Sequence, residues 1–261
     1  MKILFFGDIV GQAGRQAVKN TIDGLVKKYQ IDFVIANGEN ATHGKGLIEK
    51  HYNELIDAGI DCITLGNRYL SKNNILSYID DATCLIRPLN LIRDIGGVGS
   101  EVYEVNGILV RVTNLLGTAF MKEEVNNPYY SLKTLIDEIE GENSIHIVDF
   151  HAEATGEKMC MGYCFDGLVS AVVGTHTHVQ TNDAKILENG TGFISDVGMT
   201  GLYDSALGFE KNSVVKKIIY GEQSKFDIPE DGKGVFSAVV LDVDPISGKT
   251  TEIFPIYFIE K

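Results

Sequence analysis

Asp8, Glu39, Asn40, Asn67, His151, His176 and His178 carry the side-chain oxygens and nitrogens that bind transition-metal ions. They occur in five short stretches: Gly7-Asp8, Asn37-Gly38-Glu39-Asn40, Gly66-Asn67, Asp149-Phe150-His151 and Gly174-Thr175-His176-Thr177-His178. Taken singly, each has an ordinary reading. Gly-Asp and Gly-Asn are turn dipeptides, and a histidine closing a strand is often just hydrogen-bonded at the surface. His176-x-His178 says more, because residues two apart in an extended segment face the same side. Turn chemistry does not readily account for donors at five successive strand ends. Mixed carboxylate, amide and imidazole donors suit Mn, Fe or Zn. One carboxylate can bridge two ions about 3.5–4 Å apart, an arrangement used for in-line attack on phosphoesters.

Such a cluster needs a frame whose strand ends converge. Lys2–Phe6 is an apolar run, residues 15–29 have helical spacing, and residues 32–36 form a second apolar run. Residues 48–58 read as a helix and 61–65 as a third strand. Strands separated by helices imply parallel pairing with right-handed crossovers. Ligands collect at the carboxyl ends of such strands. Further on, residues 101–114 read as a hairpin turning at Asn106-Gly107, 130–139 as a helix, and 145–150 and 168–173 as strands. Residues 184–187 and 192–195 flank Asn189-Gly190, a hairpin signal. Residues 209–220 read as a helix, and Gly234–Val243 with Thr250–Ile259 as closing strands. The expectation is a single α/β domain over residues 1–261, with a parallel first half and a mostly antiparallel second half.

The chain has 261 residues, 44% hydrophobic, enough for a core without disulfides. A net charge of −13 argues against duplex nucleic acid or an anionic membrane as partner. It leaves room for a small phosphorylated substrate, because bound metal ions reverse the local field. No segment approaches the roughly 18 apolar residues of a membrane span, and the start lacks a signal-peptide pattern. Cys62, Cys84, Cys160 and Cys164 are scattered, which fits buried or half-buried thiols in a reducing cytoplasm.

The stretches GDIVGQAGR, NGENATHGKGL, ITLGN, LIRPLN, DFHAEATGEK, VVGTHTHVQT and SDVGMTGLYD run from residue 7 to about 204. In these the chain resembles the calcineurin-like metallophosphoesterases, and among them the bacterial YmdB-like phosphodiesterases. The resemblance implies a sandwich of two mixed β-sheets flanked by helices and a di-iron or di-manganese centre. It also implies hydrolysis of phosphodiesters such as 2′,3′-cyclic nucleotides, by a chain associated as a dimer or tetramer. By position Asp8, Asn40 and His178 would serve one metal, Asn67, His151 and His176 the other, and Glu39 would bridge.

The chain departs from that pattern at one position. The family has Gly-Asn-His after the third strand, and the His assists phosphoryl transfer. Here the order is Gly66-Asn67-Arg68. A guanidinium cannot donate a proton near neutral pH, though it can bind phosphate and stabilise developing charge. His43, three residues after Asn40, is the other candidate catalytic group. His51 is expected at the surface of its helix, and His146 packed or hydrogen-bonded within a strand. Two other readings compete with the enzyme. Gly7-x3-Gly11-x2-Gly14 superficially matches a dinucleotide fingerprint, but Ile9 stands where that motif needs glycine. Arg68 is also compatible with a metal-bound nucleotide sensor or regulator of weakened catalysis.

Overall fold

In the computed structural model, residues 1–139, 142, 144–223, 226–229 and 232–260 are described. The first half runs β1 (Lys2–Phe6), β2 (Asp8–Ile9), α1 (Gly11–Tyr29), β3 (Phe33–Asn37), α2 (Glu49–Asp57), β4 (Cys62–Thr64), β5 (Leu85–Ile86), β6 (Ser100–Val105) and β7 (Ile108–Leu116). The second runs α3 (Pro128–Glu138), β8 (Ser144–His151), α4 (Thr155–Cys164), β9 (Ala171–Thr175), β10 (Lys185–Ile186), β11 (Gly192–Ile194), β12 (Met199–Leu202), α5 (Lys211–Ile218), β13 (Gly234–Val243) and β14 (Thr250–Ile259).

Two mixed sheets face each other with helices outside. One has the order β2-β12-β13-β1-β3-β4-β5, with β14 beside β13, and the other β10-β11-β9-β8-β7-β6. Alternation along β1 explains why its whole run is apolar. Ile3 and Phe5 point between the sheets, with Ile35, Val112, Ile147, Val173 and Val239. Leu4 and Phe6 point outward beneath α1, onto Val18 and Ile22. The second sheet repeats this layering, with Val148 and Phe150 turned toward Leu132 of α3 and Met161 of α4. Strands covered on both faces lose the polar alternation of a half-exposed sheet. Among the described residues, no helix is long and apolar enough to cross a membrane.

β1, β3 and β4 are parallel, as their spacing implies, and the two-residue β5, which the pattern did not show, extends them in parallel. The second half departs from the antiparallel expectation, because β7, β8, β9 and β11 are also parallel. The reason is α4, which carries the chain from β8 to β9. Its sequence, TGEKMCMGYC, buries only Lys158, Met161 and Gly162, so its apolar stripe is too thin to read locally. The short strand β12 also escapes pattern reading. It pairs in parallel with Asp8-Ile9, so Asp8 stands in a ladder and not in a turn.

Two expectations about burial are corrected. His51 is buried, because the face of α2 that carries it turns inward and Thr42 Oγ1 meets its Nδ1 at 2.8 Å. Cys160 and Cys164 are exposed, since only one side of α4 packs on the sheet, whereas Cys62 is buried and Cys84 half-buried. The glycines of the apparent dinucleotide motif serve packing. A Cβ on Gly7 would overlap the Gly198 carbonyl, and one on Gly14 the Thr200 carbonyl, so both let β12 approach.

Candidate metal centre

The ends of β1, β3, β4, β8 and β9 converge at one edge of the sandwich, and the ligand-type residues meet there. His151 is central. Its Nε2 lies 3.2 Å from Glu39 Oε1, 3.2 Å from Asn67 Oδ1 and 3.0 Å from His176 Nδ1. Asn40 Nδ2 lies 3.1 Å from Glu39 Oε1, 3.4 Å from Asp8 Oδ1 and 3.2 Å from His178 Nε2. His178 Nε2 is itself 3.7 Å from Asp8 Oδ1. The seven residues therefore form two adjoining groups that meet at Glu39. Asp8, Asn40 and His178 lie on one side, and Asn67, His151 and His176 on the other.

Several features fit this cluster to metal ions. Donor atoms of Glu39, His151 and His176 all lie within 4.8 Å of one another. Asn40 Oδ1 is buried without a hydrogen-bond partner, although a buried amide oxygen normally has one. A Cβ on Gly66 would overlap both Glu39 Oε2 and His151 Nε2, so glycine keeps the space between two donors open. Carboxylate, imidazole and amide donors together favour Mn, Fe or Zn over Mg or Ca.

The electrostatics point the same way. Burial pushes the Asp8 carboxyl above its ordinary range despite His178 and His151 nearby. Burial works against the Glu39 carboxylate too, but His151 and the Arg68 N–H and charge hold it down to about 2. Burial opposes a charge on His151, yet Glu39, Asp8 and Asp149 raise it to about 9. His176 is lowered to about 3, by burial first and then by His151. Asp8, Glu39 and Asp149 thus crowd around His151, with Arg68 beside Glu39, a balance of buried acids that added positive charge relieves.

Behind the donors lies a layer that the sequence reading passed over. Asp149 is fully buried and points the same way as His151, two residues on. It accepts from Thr64 Oγ1 and from Thr175 Oγ1 at 2.7 Å, and Thr175 Oγ1 lies 2.9 Å from His151 Nδ1. With the Thr175 hydroxyl donating to Asp149, its oxygen accepts from His151 Nδ1–H. In its neutral, metal-binding form His151 then carries its lone pair on Nε2, toward the other donors. The visible signal was Asp149-x-His151, a strand-period pair. Glu153 Oε2 lies 3.1 Å from His176 Nε2.

The segment holding His176 and His178 is not extended, as its spacing implied. Both residues have positive φ, 103° and 66°, because the chain turns immediately after β9. Both rings nevertheless point into the cluster. Arg68 is half-buried, and its backbone N–H donates to Glu39 Oε2 at 2.8 Å. His43 is exposed at φ 50°, with its ring centre 6.2 Å from that of His51. Among the described residues it makes no hydrogen bond to the donor cluster.

The family model of YmdB-like proteins matches residues 4–256. The 2′,3′-cyclic-nucleotide 2′-phosphodiesterase of Bacillus subtilis is 44% identical over 253 residues, covering 97% of this chain and 95% of that one. A crystal structure described as a novel phosphatase from Mycoplasma pneumoniae is 38% identical with a TM-score of 0.93, covering 100% of this chain and 94% of that one. One of a hypothetical protein from Thermus thermophilus is 36% identical, also at 0.93, over the whole of both chains. The family match spans nearly the entire sequence, and both crystal structures share the two-sheet frame: the chain belongs to the YmdB-like family.

Proposed function

We propose that the chain is a binuclear-metal phosphodiesterase acting on small phosphodiesters such as 2′,3′-cyclic nucleotides. It is a hydrolase of the phosphodiesterase and phosphatase class, as the named relatives are. The observation that carries the reading is the meeting of two donor groups at Glu39, with His151 Nε2 within 3.2 Å of Glu39 and Asn67. In this reading Asp8, Asn40 and His178 hold one ion, Asn67, His151 and His176 the other, and Glu39 both, with Fe or Mn the expected pair. Two such ions would supply charge stabilisation for a phosphoryl group and activation of water at neutral pH. Arg68 binds a phosphoryl oxygen beside Glu39, and His43 donates a proton to the leaving oxygen. The chain works as one catalytic unit over residues 1–261, in the cytoplasm and as a dimer or tetramer. Cell fractionation and sedimentation of the purified protein test those last two points.

Elemental analysis beside turnover tests the centre. About two ions per chain are expected, with hydrolysis of bis(p-nitrophenyl) phosphate, and Glu39→Gln should empty both positions because one carboxylate serves both. Saturation at one ion per chain, with or without Glu39, contradicts the binuclear reading. Arg68 also favours a second reading, a metal-bound nucleotide sensor. Metal-loaded protein that binds cyclic nucleotides without hydrolysing any phosphodiester would select it.

A further inference from the structure

Four cationic side chains gather around one loop at the edge of the donor cluster. The loop, residues 41–47, follows Asn40 and carries Lys45. His43, Gly44 and Gly46 within it all have left-handed φ, between 50° and 75°, so its path is tightly turned. Gly46 packs on Lys72, whose Cγ and backbone N lie 2.8 and 3.0 Å from where a Cβ on Gly46 would stand. Gly44 abuts Phe209 and Ile228. Phe209 stacks on Phe226 with ring centres 5.1 Å apart, and Lys217 of α5 places its Nζ 4.4 Å over the Phe226 ring. Arg68 approaches from the metal side, tied to Glu39 through its N–H.

Lys45 is thus carried by this loop, Lys72 packs on it, Lys217 approaches it through Phe226 and Phe209, and Arg68 stands beside Glu39; among the described residues none of the four forms an ion pair. Lys45 is exposed, yet partial burial and then the charges of Arg68, Lys217 and Lys72 lower its ammonium from its ordinary value. In a chain of net charge −13, unpaired cations collected beside buried carboxylates are conspicuous. They raise the local concentration of anions and offset the repulsion that an acidic protein exerts on them. A diester that carries one negative charge at the donor cluster needs no cations as far out as α5.

We propose that this rim is a subsite for a second phosphate, so that the favoured substrate is a nucleoside 2′,3′-cyclic phosphate also phosphorylated at its 5′-oxygen. The second phosphate is either a terminal monoester or the diester link of a short oligonucleotide. The proposal rests on the phosphodiesterase reading, and its test separates the two. Turnover would be compared for adenosine 2′,3′-cyclic phosphate, its 5′-phosphorylated form and a dinucleotide ending in the same cyclic phosphate. A 5′-phosphate should raise kcat/KM by about tenfold, mainly through KM. Lys45→Ala and Lys217→Ala should each remove most of that gain and leave the nucleoside lacking it within about twofold. A gain for the monoester alone assigns the site to free nucleotides, and an equal gain for the dinucleotide assigns it to RNA ends. Calorimetry with adenosine 3′,5′-bisphosphate and adenosine 3′-monophosphate reads the same subsite without turnover. If no cyclic substrate is hydrolysed but the bisphosphate still binds more tightly in a Lys45-dependent way, the phosphodiesterase reading falls and the subsite stands. If hydrolysis proceeds and the 5′-phosphate brings no gain, or the gain survives in both variants, the subsite is refuted.

Discussion

Lys158 Nζ lies 2.7 Å from Asp196 Oδ2, and both side chains are 2% exposed. The same carboxylate oxygen accepts the Thr177 N–H at 3.0 Å, and its partner oxygen accepts the Gly198 N–H at 2.8 Å. Thr177 stands between His176 and His178, whose left-handed backbone costs of order 1–3 kcal/mol per residue. From the opposite side, Asp8 Oδ2 accepts the His176 N–H at 3.0 Å. The strained turn that presents His176 and His178 is therefore gripped from both sides, by α4 through Asp196 and by β2 through Asp8.

Removing one member of such a buried pair leaves an uncompensated charge, so Lys158→Met should cost about 3–5 kcal/mol in urea unfolding. The double variant Lys158→Met with Asp196→Asn should recover much of that stability. Its metal affinity, read by competition with a chelator, should stay below wild type, because an amide oxygen holds the Thr177 N–H more weakly than a carboxylate does. Wild-type metal affinity in the double variant would show that the ion pair does not position the turn.

Gly66 tests the centre by volume alone. Gly66→Ala introduces a methyl group into the gap between Glu39 and His151. Metal affinity, read by competition with a chelator, should fall at least tenfold, as it does when a donor's orientation is lost. The cost to folding should stay within the 1–3 kcal/mol of ordinary overpacking. Unchanged affinity would remove Glu39 and His151 as partners of one ion.

Leaving-group dependence tests Arg68 and His43. Opening a cyclic ribose phosphate expels an alkoxide that needs a proton, and a positioned acid contributes about 10²–10⁴-fold. A nitrophenolate leaves unprotonated. Arg68→His should therefore raise turnover of 2′,3′-cyclic nucleotides more than that of aryl diesters. His43→Ala should slow the cyclic substrates and spare the aryl ones. Efficient opening of cyclic nucleotides by wild type, unchanged by Arg68→His, would mean that the loss of a histidine at position 68 costs nothing and that His43 or another group already donates the proton in full. Equal loss on both substrate types, or none, in His43→Ala would exclude that imidazole.

Acid stability follows from His146. Its Nε2 meets Thr113 Oγ1 at 2.8 Å, and burial, then Arg111, lowers it to about 3. The unfolded chain takes up this proton near pH 6.5 and the folded chain only near 3, so the unfolded state binds more protons between those values. The contribution is complete above about pH 6.5 and is lost as pH falls, by up to about 1.4 kcal/mol per unit. His51, lowered to about 4 by burial and then Arg15, acts in the same direction. His146→Gln should flatten the dependence of unfolding free energy on pH between about 6 and 4 relative to wild type. Parallel curves for the two proteins would contradict the assignment.

The first three parallel strands, both hairpin turns and the closing β13–β14 pair were legible in the sequence because their signals are local. Apolar runs, helical spacing and Asn-Gly turns depend on neighbours a few residues away. The residues of the candidate metal centre could be picked out for the same reason, since Gly precedes Asp8, Glu39, Asn67 and Thr175-His176, whereas His151 closes its strand without one. Other features depended on partners far along the chain. The course of the second sheet hung on α4, whose thin stripe packs through Met161, Gly162 and the stem of Lys158. The burial of His51 depended on Thr42 and the turn of α2. Asp196 and Lys158 are 38 residues apart, and neither has a local reason to be buried. Their pairing, the positive φ of His176 and His178, and the collection of Lys45, Arg68, Lys72 and Lys217 around one loop were decided by tertiary packing. A side chain's neighbours across a sheet or beneath a helix are fixed by register and layer, and a linear pattern carries no record of either.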